Sequence, residues 1–165
     1  AGLALGELPG LPGRGERVEV ALPGGTATLI DESYNANPAS MRATLRTLAE
    51  VPGRRIAVLG EMREMGEYSD RCHAELADPI DEAGLSHVLL VGEAMVPLAR
   101  ALEGRADFVH VPDAAAARDR LLAMIAPGDA VLVKGSNGVG LAAVVAAVKA
   151  MGARDEGEAG VGAVG

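Results

Sequence analysis

Residues 56–60 read Ile-Ala-Val-Leu-Gly, an uninterrupted apolar run that ends in a glycine. Residues 88–91 (Val-Leu-Leu-Val) and 130–133 (Ala-Val-Leu-Val) repeat the pattern. Such a run is typical of a strand that is buried on both faces, as in a parallel sheet. Because a segment long enough for a helix follows each run, these stretches predict a parallel sheet that helices cover on both faces.

The rest of the chain supplies further elements of this sheet. Pro23-Gly24-Gly25 separates two short β-type runs and predicts a hairpin or a bent strand pair. With right-handed crossovers, the fold class is α/β, a Rossmann-like doubly wound and mostly parallel sheet whose ligands bind beyond the carboxyl ends of its strands. Apolar spacing and end signals predict a strand at 108–111 and helices at about 38–51, 70–83, 93–102, 113–125 and 139–150.

Both ends of the chain lack the apolar spacing of the middle. The start is rich in Gly, Leu and Pro, and the end has Gly at short intervals. We therefore expect a linker over residues 1–15, a folded domain over residues 16–150 and a disordered tail over residues 151–165.

Composition narrows the class of protein. The 165 residues include 15 basic and 23 acidic ones, and the net charge of −8 argues against binding to nucleic-acid phosphates. No apolar run has the length of a membrane span. A single cysteine, Cys72, excludes a disulfide within the chain and fits a reducing compartment, so a cytoplasmic location is expected.

A polar octet, Asp-Glu-Ser-Tyr-Asn-Ala-Asn-Pro over residues 31–38, joins a predicted strand to the first predicted helix. The free N–H groups of a helix start favour phosphate or carboxylate, and Asp31 could accept hydrogen bonds from ribose hydroxyls. Asn37 by itself is better interpreted as a helix cap, with Pro38 at the first helical position. The octet as a whole favours a binding function.

A charged loop, residues 60–67, follows the most apolar strand. Its Glu61 and Glu64 could bind an ammonium group or a metal ion, or they could lie on a solvated surface. His73 follows on the next predicted helix, and a lone histidine there is more typical of a structural or surface residue than of a ligand.

Two basic residues lie beside glycines. Lys134 opens the turn Lys-Gly-Ser-Asn-Gly, where a lysine, Ser136 and glycine amides at a strand–helix junction favour an anion site, with an exposed turn as the alternative. Arg14 could clamp a phosphate or could be a solvated linker residue. Because no G-x-x-x-x-G-K-[ST] motif and no Cys/His cluster occurs, we predict neither the standard phosphate-binding loop nor a metal site, and no residue is assigned as catalytic.

The octet, with Ser40-Met41 after it, resembles the signature of the Mur ligases that join D-alanyl-D-alanine to UDP-N-acetylmuramoyl-tripeptide. Gly13-Arg14 is similar to the Gly-Arg between the central and last domains of that family. The resemblance covers about residues 13–148. Its other matches are the strand and loop at 56–67 with His73, and the closing strand and Lys-Gly-Ser turn at 131–136.

The resemblance implies that the chain is the last domain of a three-domain ligase and is inactive alone. In the family the first domain binds the UDP-sugar, and the central domain holds Mg²⁺ and makes most contacts to ATP. ATP would phosphorylate the tripeptide carboxylate, and the amine of D-Ala-D-Ala would then attack. The implied partners are the missing N-terminal and central domains, UDP-N-acetylmuramoyl-tripeptide and D-Ala-D-Ala.

The resemblance also implies two groups of site residues. The nucleotide-facing group is Arg14, Asp31, Tyr34, Asn35 and Asn37. The acceptor-binding group is Glu61, Glu64, Lys134 and Ser136.

Two positions depart from the family pattern. Glu32 stands where Asp is usual, and Asn137 stands where Arg is common, which removes a cation. The alternatives to this assignment are the last domain of a sibling Mur ligase or of a folate polyglutamate ligase, which carry different residues at the octet. A third alternative is a non-catalytic module that binds a small molecule with the same fold.

Overall fold

The computed structural model describes residues 11–164, with side chains described through residue 153. One six-stranded sheet has the order β1-β2-β6-β3-β4-β5, in which β1 is antiparallel to β2 and all other neighbours are parallel. This arrangement confirms the predicted α/β class. The strands are β1 (Glu16–Leu22), β2 (Gly25–Glu32), β3 (Arg55–Gly60), β4 (His87–Val91), β5 (Phe108–Val111) and β6 (Ala130–Lys134).

Helices cover both faces of the sheet, as expected of a doubly wound fold. From β2 to β5 the chain crosses the sheet in one direction, and it then returns to β6, so right-handed crossovers place the returning helix on the opposite face. Two apolar cores result: α1 to α4 supply one, and α5 and α6 supply the other. The helices are α1 (Pro38–Ala49), α2 (Ser69–Ala74), α3 (Ala77–Ala83), α4 (Val96–Leu102), α5 (Ala114–Met124) and α6 (Ala142–Val164).

Proline explains one difference from the predicted helices. The helix predicted over 70–83 is interrupted between Ala74 and Ala77. Pro79 lacks the N–H that would bond to the carbonyl of Glu75, and its ring would clash with that carbonyl, so the first helix ends before this point. Pro79 instead lies in the first turn of α3, where a missing N–H has no cost.

The last helix differs from its predicted limits at both ends. A 3-10 turn over Asn137–Val139 ends at Gly140, which has a φ of 83°, and α6 begins only at Ala142. At the other end the backbone stays helical to Val164, so the prediction that the helix ends near Ala150 is wrong. The disordered tail expected over residues 151–165 stays a prediction. No proline interrupts residues 151–164, and each glycine costs a nucleated helix only about 1 kcal/mol.

The predicted linker lies mostly outside the described residues, since these begin at residue 11. Residue 165 also lies outside the described residues. Within the described part of the chain, no helix has both the length and the apolar character needed to cross a membrane.

An ion pair joins β3 and β6 at their amino ends. The Arg54 guanidinium donates two hydrogen bonds to the Asp129 carboxylate, at 2.8 and 2.7 Å, and this pairing raises the pKa of Arg54. Asp129 also accepts from the backbone N–H of Ala126 at 2.8 Å and is only 3% exposed. This end of the sheet is therefore held by a buried carboxylate, far from the loops that carry the predicted site.

Candidate functional site

Most of the predicted site residues lie at the carboxyl ends of the parallel strands or on the loops that follow them, and Arg14 lies in the segment before β1. In a doubly wound sheet this edge is the usual place for a ligand. The octet follows β2, the charged loop follows β3, and the Lys-Gly-Ser turn follows β6, the strand that lies between β2 and β3. The order of strands therefore brings together three segments that are far apart in sequence.

Asp31, near the end of β2, is 3% exposed and already has partners within the protein. Its carboxylate accepts hydrogen bonds from the N–H of Gly13 at 2.7 Å, the N–H of Ser33 at 3.0 Å and the hydroxyl of Ser33 at 2.6 Å. This geometry joins the segment that enters the domain to the octet. A role in binding ribose stays a prediction.

Arg14 and Tyr34 form an exposed cationic corner of the site. The Arg14 guanidinium lies 4.0 Å from the centre of the Tyr34 ring, within the range of a cation–π contact. Tyr34 is 47% exposed, and its backbone N–H donates to the carbonyl of Gly13 at 2.9 Å. The pair therefore presents a positive charge at the edge of the sheet, and the ring restrains where that charge lies.

The two octet asparagines have different surroundings. The Asn37 side chain accepts from the N–H of Ser40 at 2.8 Å, and the Ser40 hydroxyl accepts from the N–H of Asn37 at 3.1 Å. This is a capping box, so the interpretation of Asn37 as a helix cap is confirmed. Asn35 is exposed, which leaves its amide accessible to a ligand.

Lys134, the last residue of β6, is 2% exposed. Its Nζ donates to the backbone carbonyl of Asn35 at 2.9 Å and lies 3.4 Å from the carboxylate of Glu32. Burial lowers the pKa of Lys134, although the charge of Glu32 acts in the opposite direction. Among the described residues these two partners use two of the three donors of the ammonium group, which leaves one that a ligand could accept.

One cavity contains most of the predicted nucleotide-facing residues, and we call it the Arg14 cavity. It has a volume of about 270 Å³, and its lining includes Arg14, Glu32, Tyr34, Asn35 and Lys134. Lys134 was predicted on the acceptor side, but the structure places it in the same cavity as Arg14. Two cations against one carboxylate make this cavity suitable for an anion.

The charged loop after β3 is joined to the turn after β6. The N–H of Ser136 donates to the carbonyl of Glu61 at 3.0 Å, and the Ser136 hydroxyl accepts from the N–H of Arg63 at 2.9 Å. Behind these contacts Gly60 and Gly135 pass so closely that a Cβ on Gly135 would lie 3.0 Å from the Cα of Gly60. Ser136 therefore sets the shape of the predicted acceptor loop.

Glu61 and Glu64, the two predicted acceptor carboxylates, differ in their constraints. Glu61 accepts from the N–H of Ala94 at 2.7 Å and lies 3.6 Å from the guanidinium of Arg63. Glu64 is exposed and has a φ of 64°, a left-handed conformation that costs a residue with a Cβ on the order of 1 kcal/mol. Such local strain is more common at functional sites than elsewhere.

A second cavity opens beside this loop, and we call it the Glu61 cavity. It has a volume of about 520 Å³, and its charged lining residues are Glu61, Asp70, Glu93 and Arg100. Carboxylates with one guanidinium could complement a small zwitterion, which carries an ammonium group and a carboxylate. Sequence spacing did not single out Asp70 on α2, Glu93 in the turn after β4 or Arg100 on α4, because only the packing of these elements brings them beside Glu61.

His73 on α2 stabilises the charged loop after β3. It is completely buried; its Nε2 accepts from the N–H of Met62 at 2.9 Å, and its Nδ1 lies 2.7 Å from the carbonyl of Ser69. These contacts require a neutral ring with the proton on Nδ1. The preference for a structural histidine over a ligand is therefore confirmed.

No group of three or more His, Cys, Asp or Glu residues suited to a metal ion occurs within the described part of the chain.

Glu32 is a site residue whose role the sequence did not predict. It was noted only as a departure from the family pattern, yet it is the carboxylate partner of the buried Lys134. Sequence spacing could not show this pairing, because it depends on the register of β2 against β6, in which Glu32 faces Lys134.

Comparison with known proteins identifies a family and individual proteins to which this chain is similar. The sequence profile of the family described as "Mur ligase, glutamate ligase domain" matches residues 13–137. The chain is 37% identical over 151 residues to UDP-N-acetylmuramoyl-tripeptide–D-alanyl-D-alanine ligase of Escherichia coli K12, with 90% of this chain and 32% of that protein covered. The chain thus spans about a third of the length of this curated relative.

Solved structures agree with the sequence comparison. The MurF ligase of Thermotoga maritima, crystallised in complex with ADP, superposes with a TM-score of 0.72 at 26% identity, covering 92% of this chain and 34% of that one. A MurF structure from Acinetobacter baumannii gives a TM-score of 0.76 at 27% identity, covering 88% of this chain and 32% of that one. Both superpositions cover most of this chain.

Proposed function

Because this chain belongs to the Mur ligase C-terminal domain family, we propose that it is the last domain of an ATP-dependent ligase that joins D-alanyl-D-alanine to UDP-N-acetylmuramoyl-tripeptide. The name and identity of the Escherichia coli relative support this substrate pair. The relatives' greater length supports an N-terminal and a central domain as partners in the full protein. On this proposal the chain alone has no ligase activity. The cytoplasmic location expected from the sequence stays a prediction.

The Arg14 cavity is the single observation that best supports a nucleotide role. Arg14 and Lys134 place two cations on one small cavity, where they would contact phosphate oxygens, and the exposed Asn35 amide lies beside them. The ADP bound to the Thermotoga maritima relative supports ATP as the nucleotide. We propose that Mg²⁺ is held mainly by the central domain. Lys134 then belongs to the nucleotide side, although the sequence assigned it to the acceptor side.

The Glu61 side of the edge is proposed to seat the dipeptide. D-Ala-D-Ala carries one ammonium group and one carboxylate, and the loop with Glu61, Glu64 and Ser136 offers carboxylates beside a cavity that also contains Arg100. Because Ser136 bonds to both Glu61 and Arg63, it would orient this loop.

The proposed reaction has two steps that this domain would assist. A tripeptide carboxylate oxygen attacks the γ-phosphorus of ATP and ADP leaves; the D-Ala-D-Ala amine then attacks the activated carbonyl, and phosphate and a proton leave. Arg14 and Lys134 would stabilise negative charge on the phosphates, and the acceptor loop would hold the amine near the carbonyl. Closure of the domain over the site would exclude water from the reactive intermediate.

The proposal is tested on the full-length protein that contains this chain. ADP release is measured with UDP-N-acetylmuramoyl-tripeptide and either D-Ala-D-Ala or single amino acids as acceptors. We expect turnover only with the dipeptide, a loss of at least tenfold in kcat/KM for Asn35→Ala, and little change for Arg118→Ala, whose guanidinium pairs with Asp119 on α5. Turnover with a single amino acid would indicate a sibling Mur ligase. No turnover with any acceptor would contradict the proposed substrate pair and leave a folate polyglutamate ligase or a binding module as the alternatives.

A further inference from the structure

The carboxylate of Asp31 lies at the junction between the entering chain and the sheet. Its Oδ2 accepts from the N–H of Gly13 at 2.7 Å, and its Oδ1 accepts twice from Ser33. The backbone carbonyl of the same residue accepts from the N–H of Gly15 at 2.7 Å. Asp31 thus bonds to the residues on both sides of Arg14.

The backbone around Arg14 is held by these bonds together with two others, from the N–H of Arg14 to the carbonyl of Leu11 at 2.8 Å and from the N–H of Tyr34 to the carbonyl of Gly13 at 2.9 Å. Gly13 and Gly15 have φ values of 78° and 94°, which only glycine adopts without strain. A Cβ on Gly13 would lie 3.1 Å from the Cβ of Tyr34, so the segment passes close to the octet. Among the described residues, the Arg14 side chain contacts the face of Tyr34 at 4.0 Å, and this contact does not fix the backbone by itself.

We propose that Asp31 is a positioning residue for Arg14: by holding Gly13, its carboxylate keeps the Arg14 guanidinium over Tyr34 and at the mouth of the Arg14 cavity. The effect of Asp31 on catalysis rests on the proposed function, whereas its effect on the position of Arg14 does not. This role differs from a direct contact with a ribose, because the carboxylate is 3% exposed and already accepts three hydrogen bonds.

The first test uses NMR on the 165-residue chain, without nucleotide. In the wild type, protons of the Arg14 side chain should show the upfield shift caused by the Tyr34 ring. In Asp31→Ala this shift should vanish, and hydrogen-exchange protection of the Gly13 and Tyr34 amides should fall by about tenfold or more, because a charge-assisted hydrogen bond is lost.

Asp129→Ala is the matched control. Asp129 is also 3% exposed and also accepts from a backbone N–H, but it lies at the opposite end of the strands. Asp129→Ala should lower the free energy of unfolding. It should leave the NMR shift of the Arg14 side-chain protons and the hydrogen-exchange protection of the Gly13 amide at wild-type values. An unchanged Arg14 shift in a folded Asp31→Ala chain would overturn the proposal.

Asp31→Asn covers the case in which the alanine variant does not fold. The N–H groups of Gly13 and Ser33 bond to different carboxylate oxygens, and an amide replaces one of these oxygens with an NH2 donor, so one of the two bonds is lost. A partial loss of the Arg14 upfield shift and of the exchange protection at Gly13 and Tyr34 supports the proposal. Wild-type values for both measurements overturn it.

The second test separates positioning from direct binding in the full-length ligase. If Asp31 acts through Arg14, then Asp31→Ala and Arg14→Ala each lower kcat/KM, and the double variant is no worse than Arg14→Ala alone. Additive losses, with the Arg14 shift intact in Asp31→Ala, would mean that Asp31 contacts the nucleotide directly and would overturn the proposal. Absence of any ligase activity in the wild type would contradict the proposed function and leave the NMR result to decide the inference.

Discussion

The Nζ of Lys134 lies 2.9 Å from the backbone carbonyl oxygen of Asn35, a residue 99 positions earlier in the chain. This hydrogen bond joins the end of β6 to the octet. A buried ammonium group therefore serves the fold and the predicted site together. The relationship leads to predictions for stability as well as for activity.

Lys134→Met should destabilise the chain. Met retains the length of the side chain but leaves the Asn35 carbonyl without its donor and Glu32 without its cation, which should lower the free energy of unfolding by about 1–3 kcal/mol. Urea unfolding followed by circular dichroism measures the change. Lys149→Met is the matched control, because Lys149 pairs with Glu16 in a half-exposed position and should contribute less than about 1 kcal/mol. Equal stability of Lys134→Met and wild type would contradict this account.

The stability contributed by Lys134 should depend on pH. Burial lowers its pKa below the ordinary 10.5, so between the lowered value and 10.5 the unfolded chain binds more protons than the folded chain. In that window the contribution of Lys134 to the free energy of unfolding rises with pH. The difference between wild type and Lys134→Met should therefore increase from neutral pH towards pH 10.5. A difference that stays flat or shrinks over this range would contradict the burial argument.

His73→Phe should weaken the loop after β3. Phe fills the space of the ring but offers no acceptor to the N–H of Met62, so we expect a cost of about 1–3 kcal/mol and faster hydrogen exchange at that amide. His87→Phe is a suitable control, because within the described part of the chain His87 pairs with the exposed carboxylate of Asp107 at 3.5 Å and holds no backbone N–H. If the Met62 amide keeps its protection in His73→Phe, the histidine does not hold this loop.

Gly135→Ala should disturb the close passage of two strand ends. The added Cβ would lie 2.8 Å from a Leu141 methyl and 3.0 Å from the Cα of Gly60, and such overpacking typically costs about 1–3 kcal/mol. Gly138→Ala in the same turn meets only the Arg63 side chain, at 3.1 Å, and that exposed chain can move aside. Thermal unfolding compares the two variants. Equal melting temperatures for both would show that the contact at Gly135 is not tight.

Local signals explain why parts of the site were predicted correctly. The Asn37 cap acts on Ser40, three residues later, and the hairpin turn at Pro23-Gly24 lies between directly paired strands. Interactions of this range depend on short segments, so residue type and spacing are sufficient to predict them. Pro79 also acts locally, but the predicted helix over 70–83 did not take it into account. A proline is accepted in the first turn of a helix and not in the interior, so this segment forms two helices.

The sequence by itself determined the alternation of strands and helices, because short uninterrupted apolar runs, each followed by a segment long enough for a helix, are typical of a sheet that helices cover on both faces. It also determined that the polar loops follow the strands and lie at one edge. Only the tertiary structure decided which loops share a cavity: it placed β6 between β2 and β3, set Glu32 opposite Lys134 and brought Gly13 to Asp31. The physical reason is that strand order and register depend on the packing of all the helices at once, whereas residue types and local spacing report only on neighbours in sequence.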